Sequence, residues 1–324
     1  MNKNQKVKVR PRIGIALGSG GARGYAHIGV LKALHEANIP IDVIAGTSMG
    51  AVVGAAYAIG YRIEELEDMA LQMRWRWLFN LIDPAIPRQG IIAGNKVEKY
   101  FKILTKGKVF EQLGKHLIVV ATDITSGEEV RINSGPVARA LRASIAIPGV
   151  FSPIKSGQSL LVDGSVTTPV PTMAVIEAGA EIVVAVDVSS NVDQTATLVQ
   201  TWKRLKRMPS KKIFQIIDTQ KIGRFIKNSQ FEIVNVIGNT LELCNQPKEV
   251  YKPTTVANKH YLLLKPDVGD VRWYEFHRVR ECIHAGEVVG EQAAEQIKYF
   301  LSTGNFLVET DKQNGRKLRA IGGN

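Results

Sequence analysis

The run Gly46-Thr47-Ser48-Met49-Gly50 constrains this chain more than any other five residues. Ahead of it lies a short apolar stretch, Asp42-Val43-Ile44-Ala45, and behind it Ala51 to Tyr57 and Ala58, which read as a helix. A strand that turns at once into a helix leaves no room for a bulky corner. Glycine on both flanks permits the tight turn and lets the serine oxygen project from it. This is the pattern of a nucleophile elbow, although a small-residue turn before a helix reads the same way. The elbow reading therefore requires a base and an oxyanion site elsewhere in the chain.

The upstream segment supplies a neighbour. Ile13-Gly14-Ile15-Ala16-Leu17 is a short buried-type strand, followed by Gly18-Ser19-Gly20-Gly21-Ala22-Arg23-Gly24. From Tyr25 to Asn38, His27, Val30, Leu31 and Leu34 recur at helical spacing, with Asn38 and Pro40 as the stop. Strand, helix, strand, helix is the order of a unit with parallel strands. Ligand sites of such sheets lie at the carboxyl ends of the strands, so the glycine loop and Ser48 share one edge.

The glycine loop is no dinucleotide fingerprint, because counting from Gly18 puts Arg23 where the last glycine belongs. It lacks the Gly-Lys-Ser/Thr of a phosphate loop as well. What is left is a set of unhindered backbone N–H groups at a helix mouth, an anion site. Beside a serine nucleophile such donors stabilise an oxyanion, each worth ~3 kcal/mol in the transition state.

Further along, Arg62 to about Leu117 reads as mostly helical, and His116 to Thr122 as a strand ending at Asp123. Asp123 is read as a turn former, with a catalytic carboxylate as the alternative. Ala138 to Ala146 reads as a helix, and Leu160-Leu161-Val162 as a strand that delivers Asp163-Gly164-Ser165 to the same sheet edge. Glu181 to Asp187 is another strand, as is Tyr261 to Leu264, and Arg278 to Leu301 is a long helix. Arg74-Trp75-Arg76-Trp77-Leu78-Phe79 reads as core anchors with snorkelling arginines, and a lipid–water interface is the alternative for Trp75, Trp77 and Phe79.

Composition excludes several classes. The 324 residues are 45% hydrophobic and 22% charged, an ordinary globular balance. Cys244 and Cys282 form neither a disulfide framework nor a metal cluster. No apolar run approaches the ~20 residues that span a bilayer, and the run behind the basic start is too short for a signal peptide. The expectation is a cytoplasmic protein. The net charge of +12 gathers in the first dozen residues, around Lys203 to Lys212 and in the tail. It favours an anionic partner, and with no nucleic-acid motif present an acidic membrane surface fits as well as plain solvated faces.

Four segments in order resemble the patatin-like phospholipases, and among them the short bacterial cytoplasmic members. They are Gly18 to Gly24, Gly46 to Gly50, Arg142-Ala143-Ser144-Ile145-Ala146-Ile147-Pro148-Gly149, and Asp163-Gly164-Ser165. The resemblance covers about Ile13 to Ser189. It implies a mostly parallel central sheet flanked by helices, a three-layer α/β/α fold, with a mainly helical C-terminal extension. On this reading residues 1–12 are a basic segment, 13–190 the catalytic domain, 191–309 a helical region packed on it, and 310–324 a disordered tail.

The resemblance further implies a serine acyl-ester hydrolase without cofactor or metal, acting on phospholipid or another fatty-acyl ester. Ser48 is then the nucleophile and Asp163 its base. Gly20, Gly21 and Ala22 offer the oxyanion donors, and Arg23, Gly46, Gly50 and Gly164 support them. Ser19 stands where the family's glycine box usually has glycine, and Ser165 where a second glycine or alanine usually follows the aspartate; both bear on substrate preference. Rival readings are a Ser-Asp-His triad completed by His260, His277 or His284, and a catalytically inactive regulator or lipid binder.

Overall fold

Strand β1 (Ile13–Leu17) places Ile13, Ile15 and Leu17 on one face and the small Ala16 on the other. The computed structural model of the protein describes residues 10–73, 83, 90–189 and 260–303. The same division holds in β2 (Val43–Thr47), β4 (His116–Asp123) and β9 (Ile182–Val186), whose alternate residues enter two separate apolar clusters. Every residue of β1, β2 and β9 is buried. Each isoleucine or leucine so enclosed contributes about 1.5–3 kcal/mol, which is why the strands are near-continuous apolar runs.

With β10 (His260–Leu264), these strands form the parallel part of an eight-stranded sheet in the order β10-β9-β1-β2-β4. Beyond β4 the sheet turns antiparallel. β8 (Ser159–Asp163) pairs with β4, β7 (Ile154–Ser156) with β8, and β5 (Glu128–Ile132) with β4. β3 (Gly90–Ile92) and β6 (Gly149–Phe151) make a separate parallel pair.

The larger cluster lies under α1 (Ala26–Glu36), α2 (Met49–Ile59), α3 (Ile63–Gln72), α4 (Asn95–Leu104), α5 (Val137–Ser144) and α7 (Val279–Thr303). On the opposite face the smaller cluster is completed by α6 (Thr172–Glu177). Helices on both faces of a mostly parallel sheet give the expected three-layer architecture. α1 and α7 lie backbone to backbone: a Cβ on Gly29 would stand 1.9 Å from the Ile283 carbonyl oxygen, and one on Gly286 the same distance from that of Ala26. Residues 260–303 therefore add an edge strand and a close-packed helix to the core built by 13–189. No described helix is long and apolar enough to cross a membrane.

The buried strands and long helices match expectation to within a few residues. β3, β5, β6 and β7 were not anticipated, because short or polar edge segments such as Glu128-Glu129-Val130-Arg131 carry no apolar run. Trp75, Trp77, Phe79, the basic stretch from Thr197 to Asn245 with Cys244, the first nine residues and the tail lie outside the described residues. Cys282 is buried.

Candidate active site

The sheet brings two strands head to head. β2 pairs with β4 up to Thr47↔Val120, and β8, running the other way, pairs from Ala121↔Asp163 onward. β5 occupies the opposite edge of β4 over the same residues, so β2 and β8 share one edge and their carboxyl ends meet. Ser48 follows the end of one and Asp163 closes the other. The join is tight: a Cβ on Gly164 would stand 2.4 Å from the Val120 carbonyl oxygen and 3.0 Å from Thr47 Cγ2.

Ser48 sits at the corner with φ 54° and ψ −121°, a conformation that costs a non-glycine residue of order 1–3 kcal/mol. Its neighbours leave the chain no other path, since a Cβ on Gly46 would meet Ala51 at 2.4 Å and one on Gly50 the Leu17 carbonyl oxygen at 2.2 Å. The Ser48 hydroxyl donates to Asp163 Oδ2 at 2.8 Å. Asp163 Oδ1 accepts the Ser165 N–H at 2.8 Å. Both groups are buried, Asp163 at 2% exposure and Ser48 at 9%, so the serine is the member nearer the surface.

One segment grips both. Ser144, the last residue of α5, accepts the Ser48 N–H on Oγ at 2.8 Å and donates to the Val120 carbonyl at 2.6 Å. Two residues on, the Ala146 carbonyl accepts the Asp163 N–H at 3.0 Å. Arg142, one turn back and 1% exposed, donates to the carbonyls of Ala93, Gly94 and Ser152 and lies 5.1 Å from the Phe151 ring. Burial pulls its guanidinium down to about 10. The sequence had pointed to this segment without giving Ser144 a role; a serine two residues ahead of a helix-ending Ala-Ile-Pro was the available signal.

The glycine loop faces the elbow. A Cβ on Gly24 would stand 2.4 Å from Met49 Cγ, one residue past Ser48. Among the three expected donors, the Ala22 N–H is already committed to the Trp273 carbonyl at 2.8 Å. The N–H groups of Gly20 and Gly21 have no partner among the described residues. At Gly21, φ is 58° and a Cβ would meet the Trp273 carbonyl oxygen at 2.3 Å, so only glycine fits there.

Two buried side chains hold this loop. Arg23 donates from Nε to the Val188 carbonyl at 2.8 Å and from Nη1 to that of Val271 at 3.3 Å, and burial lowers its pKa. His27, fully buried, bonds the Gly18 carbonyl through Nε2 at 2.7 Å. Burial pushes its imidazole down to about 4, so the ring is neutral and Nε2–H is the donor. The sequence had read His27 only as part of a helix face. It had not connected Val271 to Trp273 with the loop at all, because that contact spans some 250 residues of chain.

None of the three downstream histidines is placed to complete a triad. His260 opens β10, at the amino edge and three strands from β2, with its ring 4.1 Å from that of Phe300. His277 is exposed, and His284 is 77% exposed with Glu287 at 3.7 Å. Asp123 takes the N–H groups of Thr125 and Leu160 on one oxygen, the turn-forming role expected of it.

The family model for patatin-like phospholipases matches residues 15–176. An uncharacterized NTE family protein of Mycobacterium tuberculosis is 41% identical over 181 residues, 56% of this chain and 50% of that one. Lysophospholipase NTE1 of Debaryomyces hansenii is 29% identical over 289 residues, 85% of this chain and 17% of that one. The crystal structure of VipD from Legionella pneumophila aligns with a TM-score of 0.45 and 13% identity, covering 88% of this chain and 67% of that one. The chain thus spans about half the length of the mycobacterial relative and a smaller share of the yeast one.

Proposed function

The chain belongs to the patatin-like phospholipase family, and on that premise we propose that it is a lipid acyl hydrolase working through Ser48 and Asp163. The observation that carries the reading is the buried 2.8 Å hydrogen bond from the strained elbow serine to the aspartate.

In this mechanism the Ser48 oxygen attacks the ester carbonyl of a fatty-acyl lipid while its proton passes to Asp163 Oδ2. The carbonyl oxygen becomes an oxyanion and takes hydrogen bonds from the Gly20 and Gly21 N–H groups, with the N-terminal end of α2 adding its dipole. The intermediate collapses, the alcohol leaves with the proton from Asp163, and the acyl group stays on Ser48. Water then loses a proton to Asp163 as it attacks, and the fatty acid departs with the serine restored.

A carboxylate is a weak base for a hydroxyl, with an ordinary pKa of ~3.9. The rate must then come largely from geometry fixed in advance, and Ser144, Gly50 and Gly164 supply it. A fluorophosphonate probe tests the reading. It should label the wild-type protein at Ser48 and leave Ser48→Ala unlabelled. A wild-type protein that stays unlabelled while folded would instead support the regulator.

A further inference from the structure

The two helices that leave the glycine loop and the elbow end together at the far edge of the sheet. α1 starts behind the loop and closes at His35 and Glu36, and α2 runs from the elbow to Ile59, ~16 Å along its axis. Lys115, just ahead of β4, and the start of α3 at Ile63 lie at the same edge. Between these ends is a cavity of about 530 Å³ whose lining includes His35, Tyr57, Arg62, Glu64 and Lys115. It lies at the amino edge, whereas Ser48 and Asp163 meet at the carboxyl end of β2, so the two places are separate.

The wall carries more donors than the fold uses. Lys115 Nζ donates to the Ile41 carbonyl at 3.2 Å and stands 5.2 Å from the centre of the Tyr57 ring, and no described carboxylate pairs with it. Arg62 is exposed and meets Glu65 through Nε alone, at 3.6 Å. His35 is exposed as well, and Glu64 is the single carboxylate in the lining. Tyr57 is the telling residue. It is 9% exposed, and its hydroxyl makes no hydrogen bond to a described residue. The described side-chain atoms that are both sealed and unpartnered are His27 Nδ1 and Arg142 Nη1, so the Tyr57 hydroxyl is open, and the space it lines is this cavity. A side chain buried in its body and unmet at its tip is what a small-molecule site provides.

A guanidinium, an ammonium, an imidazole and a phenol around one space suit an anion with several oxygens, and the first N–H groups of α3 add to them. The Tyr57 ring and Ile63 give apolar wall for the rest of such a molecule. The volume falls within the ~300–1,000 Å³ of small-molecule sites. We propose that this cavity binds a small phosphate ester, with its phosphate on Arg62, Lys115 and the Tyr57 hydroxyl. Because the cavity lies at the edge away from Ser48, the ester is a soluble one and not the lipid substrate. The proposal does not depend on the hydrolase reading.

The test is calorimetric, on the full-length protein in wild-type and Ser48→Ala forms, with adenosine monophosphate, glucose 6-phosphate and inorganic phosphate as probes. At least one of the esters should bind saturably, with a Kd ~10-fold or more below that of inorganic phosphate, since the cavity wall holds its body as well. Arg62→Gln and Lys115→Gln should each raise that Kd at least ~10-fold, because each removes a charge-assisted hydrogen bond. Tyr57→Phe deletes a hydroxyl alone and should raise it ~3-fold or more. Lys298→Gln makes the same change of charge at an exposed position on α7 and should leave it within about twofold.

Ester binding that all three cavity variants weaken, at one Kd in wild-type and Ser48→Ala protein, would establish the site and its separation from the dyad. Absence of saturable binding by either ester would overturn it and leave the hydrolase reading untouched. So would a loss in Lys298→Gln equal to that in Lys115→Gln, which would mark net charge in place of a cavity. Sedimentation with phosphatidate-containing phosphatidylcholine vesicles is the remaining arm. Vesicle binding that Arg62→Gln and Lys115→Gln abolish, with neither ester bound, would overturn the soluble ligand and make this edge a headgroup contact.

Discussion

Two strands of this sheet end in aspartate, and the two turns look alike. Asp123 closes β4 and Asp163 closes β8, on one ladder where Ala121 faces Asp163 and Asp123 faces Leu161. Each uses Oδ1 to accept the N–H two residues on, Thr125 in one case and Ser165 in the other. The difference lies in what else each carboxylate meets. Asp123 also takes the Leu160 N–H and a hydrogen bond from Ser159, holding β8 against β4. Asp163 has its second oxygen on the Ser48 hydroxyl. Local turn chemistry is the same, and the head-to-head meeting of β2 and β8 leaves one aspartate bonded to its own strand pair and brings the other to the Ser48 hydroxyl.

That contrast can be broken in several places. Ser48→Ala should remove essentially all ester hydrolysis, a loss of ~10⁴-fold or more in kcat, while the thermal unfolding midpoint stays near that of the wild type. Ser144→Ala keeps the Ser48 and Asp163 side chains and removes the hydroxyl between Ser48 N–H and the Val120 carbonyl. A lost buried hydrogen bond is worth about 1–3 kcal/mol, so kcat should fall about 10- to 100-fold. KM should hold, because Ser144 touches no substrate, and Ser144→Thr should recover most of the rate. A KM effect without a kcat effect would show that Ser144 does not align the elbow.

His27 tests the glycine loop through stability. Its imidazole falls from 6.5 unfolded to about 4 folded because burial disfavours the charged ring. Stability from the neutral ring is fully present above pH 6.5 and is lost as pH falls from there toward 4, on the order of 3 kcal/mol in all. Urea midpoints measured across that window should decline in the wild type and be flatter in His27→Gln. Equal slopes would show that the ring is already open to protons.

The smallest kinetic effect belongs to Asp123→Asn, with kcat/KM expected within about threefold of wild type. Its effect is on acid stability. Burial raises the Asp123 carboxyl, but hydrogen bonds from Ser159, Thr125 and Leu160 outweigh that and hold it below 3.8. Its contribution is therefore present above pH 3.8 and lost as pH falls through the lower folded value. Asp123→Asn should remove that acid limb from a pH series of unfolding midpoints, and an unchanged limb would assign it to other carboxylates.

These residues also show what the sequence made legible. Buried strands such as Ile182 to Val186 announce themselves as unbroken apolar runs, and Ser48 and the glycine loop sit at strand ends where parallel sheets build sites, whereas Asp163 ends a strand that runs antiparallel to β4 and reaches Ser48 head to head. The edge strands did not show, since Glu128 to Ile132 is half polar and is held by its partner strand. Ala22 read as an oxyanion donor because the loop looked free, but a carbonyl from Trp273 occupies its N–H. Ser144 and His27 act through contacts 96 and 9 residues away in sequence, one from a helix end onto the elbow and one from α1 back across the glycine loop. Pattern reading finds which residues reach an edge, and tertiary pairing decides which of them touch.

The central claim is that the base is an aspartate and that no histidine takes part. It is tested most directly by measuring kcat/KM for butanoyl p-nitrophenyl ester with Asp163→Asn and Asp123→Asn side by side, each checked for native circular dichroism. The account predicts a drop of ~10⁴-fold for Asp163→Asn, which leaves the nucleophile without a proton acceptor, and almost none for Asp123→Asn. Turnover by Asp163→Asn within tenfold of wild type would contradict it and mean that another group takes the Ser48 proton.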